Sequence, residues 1–295
     1  MSNARPSSVL APVPDAQVAA GLGADGRAAP ASRRRGPAFW VDAAVVAGVS
    51  LAGLACPEGA RLWYEALVVG FAGISAFVLG GAALVTFFAE RREGRLQGPR
   101  VRPALIARGF RDTALAAWIA ACLLAWPLAR LWSGAPTGLI WSIDEAGGAV
   151  RVIAQTFAGV LVLDAWLYWK HRLLHTRALF GFHRAHHVYR DPTAFAGFAV
   201  GPVESLLTFW PIVLVAIPQA VHYAPLYFGL VASFIYLNFY LHCGIGSRLL
   251  EATLPRLGVN TSAFHNRHHA NAEVNFGEAL TIWDHLCRTT ETRRS

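Results

Sequence analysis

Residues 152–187 read VIAQTFAGVLVLDAWLYWKHRLLHTRALFGFHRAHH. The first half is an apolar run of the length that crosses a bilayer, where about 20 residues of helix cover roughly 30 Å of hydrocarbon. The second half changes character at Lys170, the only lysine in the chain. Five of the seventeen residues 171–187 are histidine. A membrane helix that runs straight into a histidine cluster implies imidazoles gathered at one face of the membrane.

The rest of the chain fits that picture. It is 295 residues long, 55% hydrophobic and only 15% charged, too apolar for an ordinary soluble domain. Apolar segments recur at 39–56, 62–88, 113–132, 152–169, 203–221 and 224–241. The first four read as spans. The last two are marginal, with Pro211 and Pro218 inside one of them, and read as a helical hairpin that leaves and returns on one side. The expected fold is all-α: a multi-pass helical membrane protein of four spans plus a hairpin. A His-rich helical cap holding a binuclear metal site is expected on its cytoplasmic face. The expected division is a disordered tail at 1–37, an N-terminal transmembrane region at 38–156, a domain with the three histidine clusters at 157–290 and a short tail at 291–295.

Orientation follows from arginine. Arg33, Arg34 and Arg35 lie in the tail, and Arg91, Arg92, Arg95, Arg100, Arg102, Arg108 and Arg111 lie in or beside the loop after the second segment. The loop after the third, SGAPTGLIWSIDEAGG (133–148), has no arginine and holds Asp144 and Glu145. The positive-inside rule makes the arginine-rich parts cytoplasmic. Counting spans then places both termini and residues 170–202 and 242–295 on that side, and with them ten of the eleven histidines. His222 falls on the far side. The net charge of +8 suits a membrane surface better than nucleic acid. Cys56, Cys122, Cys243 and Cys287 form no CxxC pair, which excludes a zinc ribbon and a disulfide scaffold.

The histidines come as HxxxH (His171, His175), as HxxHH (His183, His186, His187), as HxxHH again (His265, His268, His269), and singly at His242. On a helix, residues three and four apart share a face, so HxxxH can grip one metal. The adjacent pair in HxxHH points roughly 100° apart, so one motif can serve two metals. Eight or nine imidazoles exceed the coordination number of one transition ion, and a binuclear site is the economical reading. A sequestering tract or tag would be contiguous and terminal. A structural zinc site takes four ligands and usually some cysteine. Imidazole alone suits zinc, copper, iron and nickel. His222 and His285 read as packing or surface residues.

The segment 157–290 resembles the fatty acid hydroxylase/sterol desaturase superfamily of membrane di-iron oxygenases. DAWLYWKHRLLH (164–175) is similar to its Asp-x-x-x-Tyr-x-x-His-Arg-x-x-His signature, and LFGFHRAHH (179–187) to its second box. GPVE (201–204) resembles its His-Pro-x-Glu element, with Gly201 where histidine is common. FHNRHHANAEVNFGEALTIWDHL (264–286) is similar to the third box with its Asn-Phe-Gly and Trp-Asp tail. The usual Leu-Phe-Gly-Thr ending is replaced by Leu286, Cys287, Arg288 and Thr289. Some relatives carry a histidine four residues before the one matching His242, where this chain has Asn238.

The resemblance implies two non-haem iron ions held by His171, His175, His183, His186, His187, His242, His265, His268 and His269. It implies an oxygenase that hydroxylates, or less often desaturates, a lipid with O2 and two electrons. Asp164 shares a helical stripe with Tyr168, His171 and His175, and a carboxylate inside a span is a functional-site hypothesis by default. It is expected to accept the free N–H of a ligating histidine, with Glu204 and Asp284 as weaker candidates and Asn238 near one metal through water. The aromatic residues of 203–241 are candidates to line a lipid cavity. The chain has no dinucleotide fingerprint, so electrons are expected from a separate reductase with a ferredoxin or cytochrome. The competing reading is a non-catalytic metal-binding membrane protein, a sensor or transporter; a transporter would place its ligands at mid-membrane.

Overall fold

The computed structural model describes residues 36–92, 94–96 and 103–291. Residues 1–35 of the expected tail and the arginines at 33–35, 100 and 102 lie outside them, while Pro37 already begins the first helix. Among the described residues, five helices are long and apolar enough to cross a membrane. They are α1 (Pro37–Leu51, prolonged by a 3-10 turn to Ala55), α2 (Ala60–Ala89), α3 (Pro103–Trp132), α4 (Ala149–Leu174) and α7 (Ala224–His242). The molecule is a multi-pass helical membrane protein. α3 starts ten residues before the apolar segment at 113, and α4 continues past its apolar segment to carry His171 in its last turn.

Without water, spanning helices are held by close packing of small residues. α3 supplies them: Ala121, Ala125 and Ala129 are buried against Trp63, Ala66 and Leu67 of α2. The Trp63 ring also lies over Gly53, where a Cβ would stand 2.2 Å from it, so only glycine admits that ring. The outward faces are apolar. Val150 is 84% exposed, Val162 71% and Val68 66%, the exposure expected of a surface solvated by lipid.

The marginal segment 203–221 becomes α6 (Pro202–Phe209) followed by a 3-10 helix, Trp210–Ala216. Pro211 sits in the first turn of that 3-10 helix and cannot supply the N–H an α-helix would need there. The 3-10 rise of about 2.0 Å per residue against 1.5 Å lets these fifteen residues cover about 26 Å. The segment therefore reaches the opposite end. There the strand Leu139–Ile140 (β1), in the loop after α3, pairs in parallel with His222–Tyr223 (β2) in the turn before α7.

Three contacts define the other end. Arg95 of the arginine-rich loop donates to Asp191 at 2.9 Å and Leu96 N–H to Gly244 O at 3.0 Å. Asp42, early in α1, accepts from the N–H of Val203 at 3.1 Å. The arginine loop, the start of α1 and the histidine-bearing segments thus share one end, with β1 and β2 at the other. At the histidine end lie α5 (Phe180–His183), 3-10 turns at His186–Val188 and Ala194–Phe198, α8 (Arg248–Thr253), α9 (Ser262–Ala270) and α10 (Ile282–Cys287).

Candidate metal centre

Local structure brings the histidines to one place. His171 and His175 stand one turn apart where α4 ends. α5 and the turn after it carry His183, His186 and His187. α7 delivers His242 as its last residue. α9, whose N-terminus is capped by the Thr261 hydroxyl accepting from Phe264 N–H at 3.3 Å, carries His265, His268 and His269.

These nine side chains form two buried groups, each with ligand atoms within 4.8 Å of one another: His171, His175, His183, His187 and His268; and His186, His242, His265 and His269. HxxxH stays whole in the five-membered group. Each HxxHH box is divided. His186 leaves His183 and His187 for the second group, and His268 leaves His265 and His269 for the first. The divergence of neighbouring side chains on a turn therefore interlocks the groups, and rings of His187 and His269 lie only 5.3 Å apart. Of the two single histidines, His222 lies in β2 at the far end of α7, about 28 Å of helix away, and His285 is exposed.

Hydrogen bonds settle the tautomers of four rings. Nδ1 of His171 donates to Phe276 O at 2.8 Å, Nδ1 of His242 to Asn238 O at 2.9 Å and Nδ1 of His268 to Val274 O at 2.7 Å. Nδ1 of His183 donates to the Glu204 carboxylate at 2.7 Å. A carbonyl or carboxylate only accepts, so in each neutral ring Nε2 is a bare lone pair. Those lone pairs meet other nitrogens. His187 Nε2 is 3.0 Å from both His183 Nε2 and His175 Nε2, His175 Nε2 is 3.3 Å from His171 Nε2, and His265 Nε2 is 2.9 Å from His242 Nε2. Nε2 of His268 and both nitrogens of His269 are buried without a protein partner. So many converging acceptors, each costing about 1–3 kcal/mol if left unmatched, suit a cation in each group. Burial, reinforced by repulsion among the neighbouring imidazoles, holds His175, His186, His187, His265 and His269 well below the usual histidine range, and burial pushes His268 down to about 3. Neutral imidazole is the form that binds metal.

The residues expected to support the histidines divide. Glu204 does so directly through His183. Asp164 does not touch a histidine: it accepts from the N–H groups of Ala279 and Leu280 at 3.2 and 3.1 Å and from Trp283 Nε1 at 2.8 Å. Its stripe with His171 is real, but the carboxylate faces the chain that returns after α9. Asp284 accepts from the N–H groups of Phe276 and Gly277 at 2.9 and 2.7 Å and so fixes the carbonyl that orients His171. The Asn238 amide donates to Phe234 O at 3.1 Å; its own main-chain carbonyl, rather than its side chain, is what His242 uses. Asp191, just before Pro192, pairs with Arg95.

The Asn-Phe-Gly element acquires a physical role. Asn275 has φ 59°, a left-handed conformation that asparagine tolerates, and its side chain donates to Phe264 O at 3.1 Å. A Cβ on Gly277 would stand 2.5 Å from Leu280 O. The tight turn presents Phe276 O to His171. Sequence reasoning missed the carbonyl acceptors of Val274 and Phe276, because a main-chain acceptor leaves no residue-type signal. It also passed over Lys170, whose signal was in plain view as the sole lysine beside the first box.

A narrow cavity of about 30 Å³ touches both groups, at His171 and His183 on one side and His186, His242 and His265 on the other. Phe198, Phe209, Phe234 and Leu241 form its apolar wall; Lys170, Glu204, Thr208 and Glu278 form a polar corner. Of the aromatic residues expected to line a lipid cavity, Phe209 and Phe234 do. Phe239 packs in the core on Phe198, and Trp210, Phe228 and Tyr236 face outward.

A family model described as fatty acid hydroxylase matches residues 156–289. The chain is 30% identical to lathosterol oxidase of Rattus norvegicus over 150 residues, 48% of this chain and 47% of the relative. It is 27% identical to lathosterol oxidase of Homo sapiens over 146 residues, 47% of this chain and 46% of the relative. It is 31% identical to a Delta(7)-sterol 5(6)-desaturase of Gibberella zeae over 136 residues, 43% of this chain and 35% of the relative. The matches thus span about half the length of these curated relatives or less. No solved structure matches. By the histidine boxes and these matches, residues 156–289 are similar to the fatty acid hydroxylase/sterol desaturase superfamily.

Proposed function

We propose that the protein is a membrane-bound oxygenase that hydroxylates or desaturates a lipid, using two metal ions held by the nine buried histidines. The observation that carries this reading is the convergence of bare Nε2 atoms in two interlocked groups at one end of the spans. His171, His175, His183, His187 and His268 would hold one ion, and His186, His242, His265 and His269 the other. Iron is the metal the family resemblance supports. Such a pair, when bound, supplies the electrons and coordination sites for reductive activation of O2.

Hydroxylation converts a C–H bond, O2, two electrons and two protons into C–OH and water. Desaturation uses the same O2, two electrons and two protons, removes two hydrogens from adjacent carbons and yields two waters. The protein's own residues supply orientation and shelter. Glu204 and the carbonyls of Phe276, Asn238 and Val274 set the imidazole tautomers. Phe198, Phe209, Phe234 and Leu241 offer an apolar wall against which a hydrocarbon segment can lie beside both groups and exclude water. The relatives' names point to sterols as one substrate class. Electrons come from a separate reductase with a ferredoxin or cytochrome. The histidine end, with the arginine loop, is read as cytoplasmic by the positive-inside rule, with residues 38–156 as the membrane region and 157–290 as the catalytic domain. The ligand placement argues against a sensor or transporter, since the histidines lie at the span ends rather than mid-membrane.

Metal analysis of the detergent-purified chain tests the reading. Iron near two per chain is expected, and one zinc or no bound metal would refute it. Lipid profiling of a deletion strain should show loss of a hydroxylated or unsaturated species.

A further inference from the structure

Lys170 immediately precedes His171, and its side chain lines the cavity that touches both histidine groups. Its ammonium donates to Thr208 Oγ1 at 3.0 Å and Glu278 Oε1 at 2.7 Å, and lies 3.9 Å from Glu204 Oε1. The other Glu204 oxygen, Oε2, accepts from His183 Nδ1. Thr208, one turn further along α6, donates to the main-chain carbonyl of Glu204 at 2.8 Å. One side chain from α4 thus clasps both the carboxylate that grips His183 and the turn that carries it. The side chains of Lys170 and Glu204 are each only 3% exposed, so no solvent can replace the ion pair. A buried carboxylate stripped of its cation is strongly unfavourable, and the sequence contains no other ammonium side chain.

We propose that Lys170 is a positioning residue for the five-histidine metal site, its ammonium balancing and placing the Glu204 carboxylate that orients His183. The inference rests on the two-metal reading above and deepens it. It assigns a one-sided effect, because His183 belongs to the five-membered group. The four-membered group draws a main-chain tautomer lock from Asn238, on another helix. A residue needed merely for folding would weaken both sites alike.

The test uses the full chain in detergent, stripped with a chelator and titrated with Co²⁺ as a redox-inactive probe, with bound metal counted and the visible absorption followed. Wild type should bind two Co²⁺. Lys170→Met should weaken one site by about 10–100-fold, the range for removal of an orienting partner, and leave the other as it was. Glu204→Gln should weaken that same site. The double variant should lose clearly less than the product of the two single losses, since both substitutions remove the Lys170–Glu204 contact. Lys170→Arg, which keeps the charge, should stay closer to wild type than Lys170→Gln, a comparison that also serves if Lys170→Met does not accumulate. Two full-strength sites in Lys170→Met, equal weakening of both, multiplied losses in the double variant, or Lys170→Gln binding as well as Lys170→Arg would each overturn the proposal. A wild-type chain that takes fewer than two Co²⁺ refutes the two-metal reading, and this inference falls with it.

Discussion

Asp164→Ala offers a measurable test of how the metal centre is held from behind. The carboxylate is 3% exposed and accepts from three donors: two main-chain N–H groups and the Trp283 indole. Each buried donor left without a partner costs about 1–3 kcal/mol. Three independent losses would sum to more than single substitutions normally show, and a loosened loop can re-solvate some of them. The expected loss for Asp164→Ala is therefore about 3–5 kcal/mol. Asp164→Asn keeps one acceptor oxygen but turns an NH2 toward a donor, for a loss of about 2 kcal/mol. Trp283→Phe removes one bond and should cost about 1 kcal/mol. The order is the sharp part of the argument. Thermal unfolding of the detergent-solubilised chain by circular dichroism should rank the three variants accordingly, on the order of 2 °C per kcal/mol. Metal content should fall with stability in Asp164→Ala, because the loop it anchors carries the Phe276 carbonyl that orients His171. Asp164→Ala within 1 kcal/mol of wild type, or Trp283→Phe as damaging as Asp164→Ala, would refute the capping role.

The two groups can be separated by pairs of substitutions. His175→Ala with His268→Ala touches only the five-membered group and should leave one bound metal per chain, whereas His268→Ala with His269→Ala touches both and should leave none; equal metal content in the two double variants would contradict the grouping. His242→Ala should lose metal and activity while His222→Ala keeps both, read by metal analysis and product formation, since β2 lies at the opposite end of α7. The stripped protein should be acid-sensitive. Six site histidines outside the spans have depressed proton affinity when folded, so the unfolded chain binds more protons below its ordinary histidine range near 6.5. Stability is therefore complete above that range and falls as pH drops below it, by up to about 1.4 kcal/mol per pH unit for each such histidine. Unfolding temperature should drop between pH 7.5 and 5.5; a flat or rising profile would count against neutral imidazoles.

Much of this architecture was legible because it rests on side-chain identity and spacing. Apolar length located four of the five long helices, while the fifth, Ala224–His242, falls on a segment read as marginal; arginine distribution put the loop at 91–96 and the histidines at one end, as the Arg95–Asp191 pair bears out in relative terms. The divergence of adjacent histidines in HxxHH anticipated the divided boxes. What spacing could not convey is what a main-chain atom does. Asp164 and His171 share a stripe, yet the loop that returns to meet them lies more than 100 residues later, and only its path decides which partner each obtains. The segment from 203 looked marginal because of Pro211 and Pro218, whereas the stretch around Pro211 continues as a 3-10 helix, Trp210–Ala216.

The position of the Phe276 and Val274 carbonyls has a consequence for biosynthesis. The ninth imidazole is His269, so a nascent chain released at residue 270 already carries every nitrogen of both groups. It still lacks the acceptors that hold His171 and His268 in their Nδ1–H form, and Asp284, which secures one of them. Such a chain has the ligands but not their orientation. Orientation of both groups therefore waits on residues 274–284, which follow the last of the nine histidines in the chain.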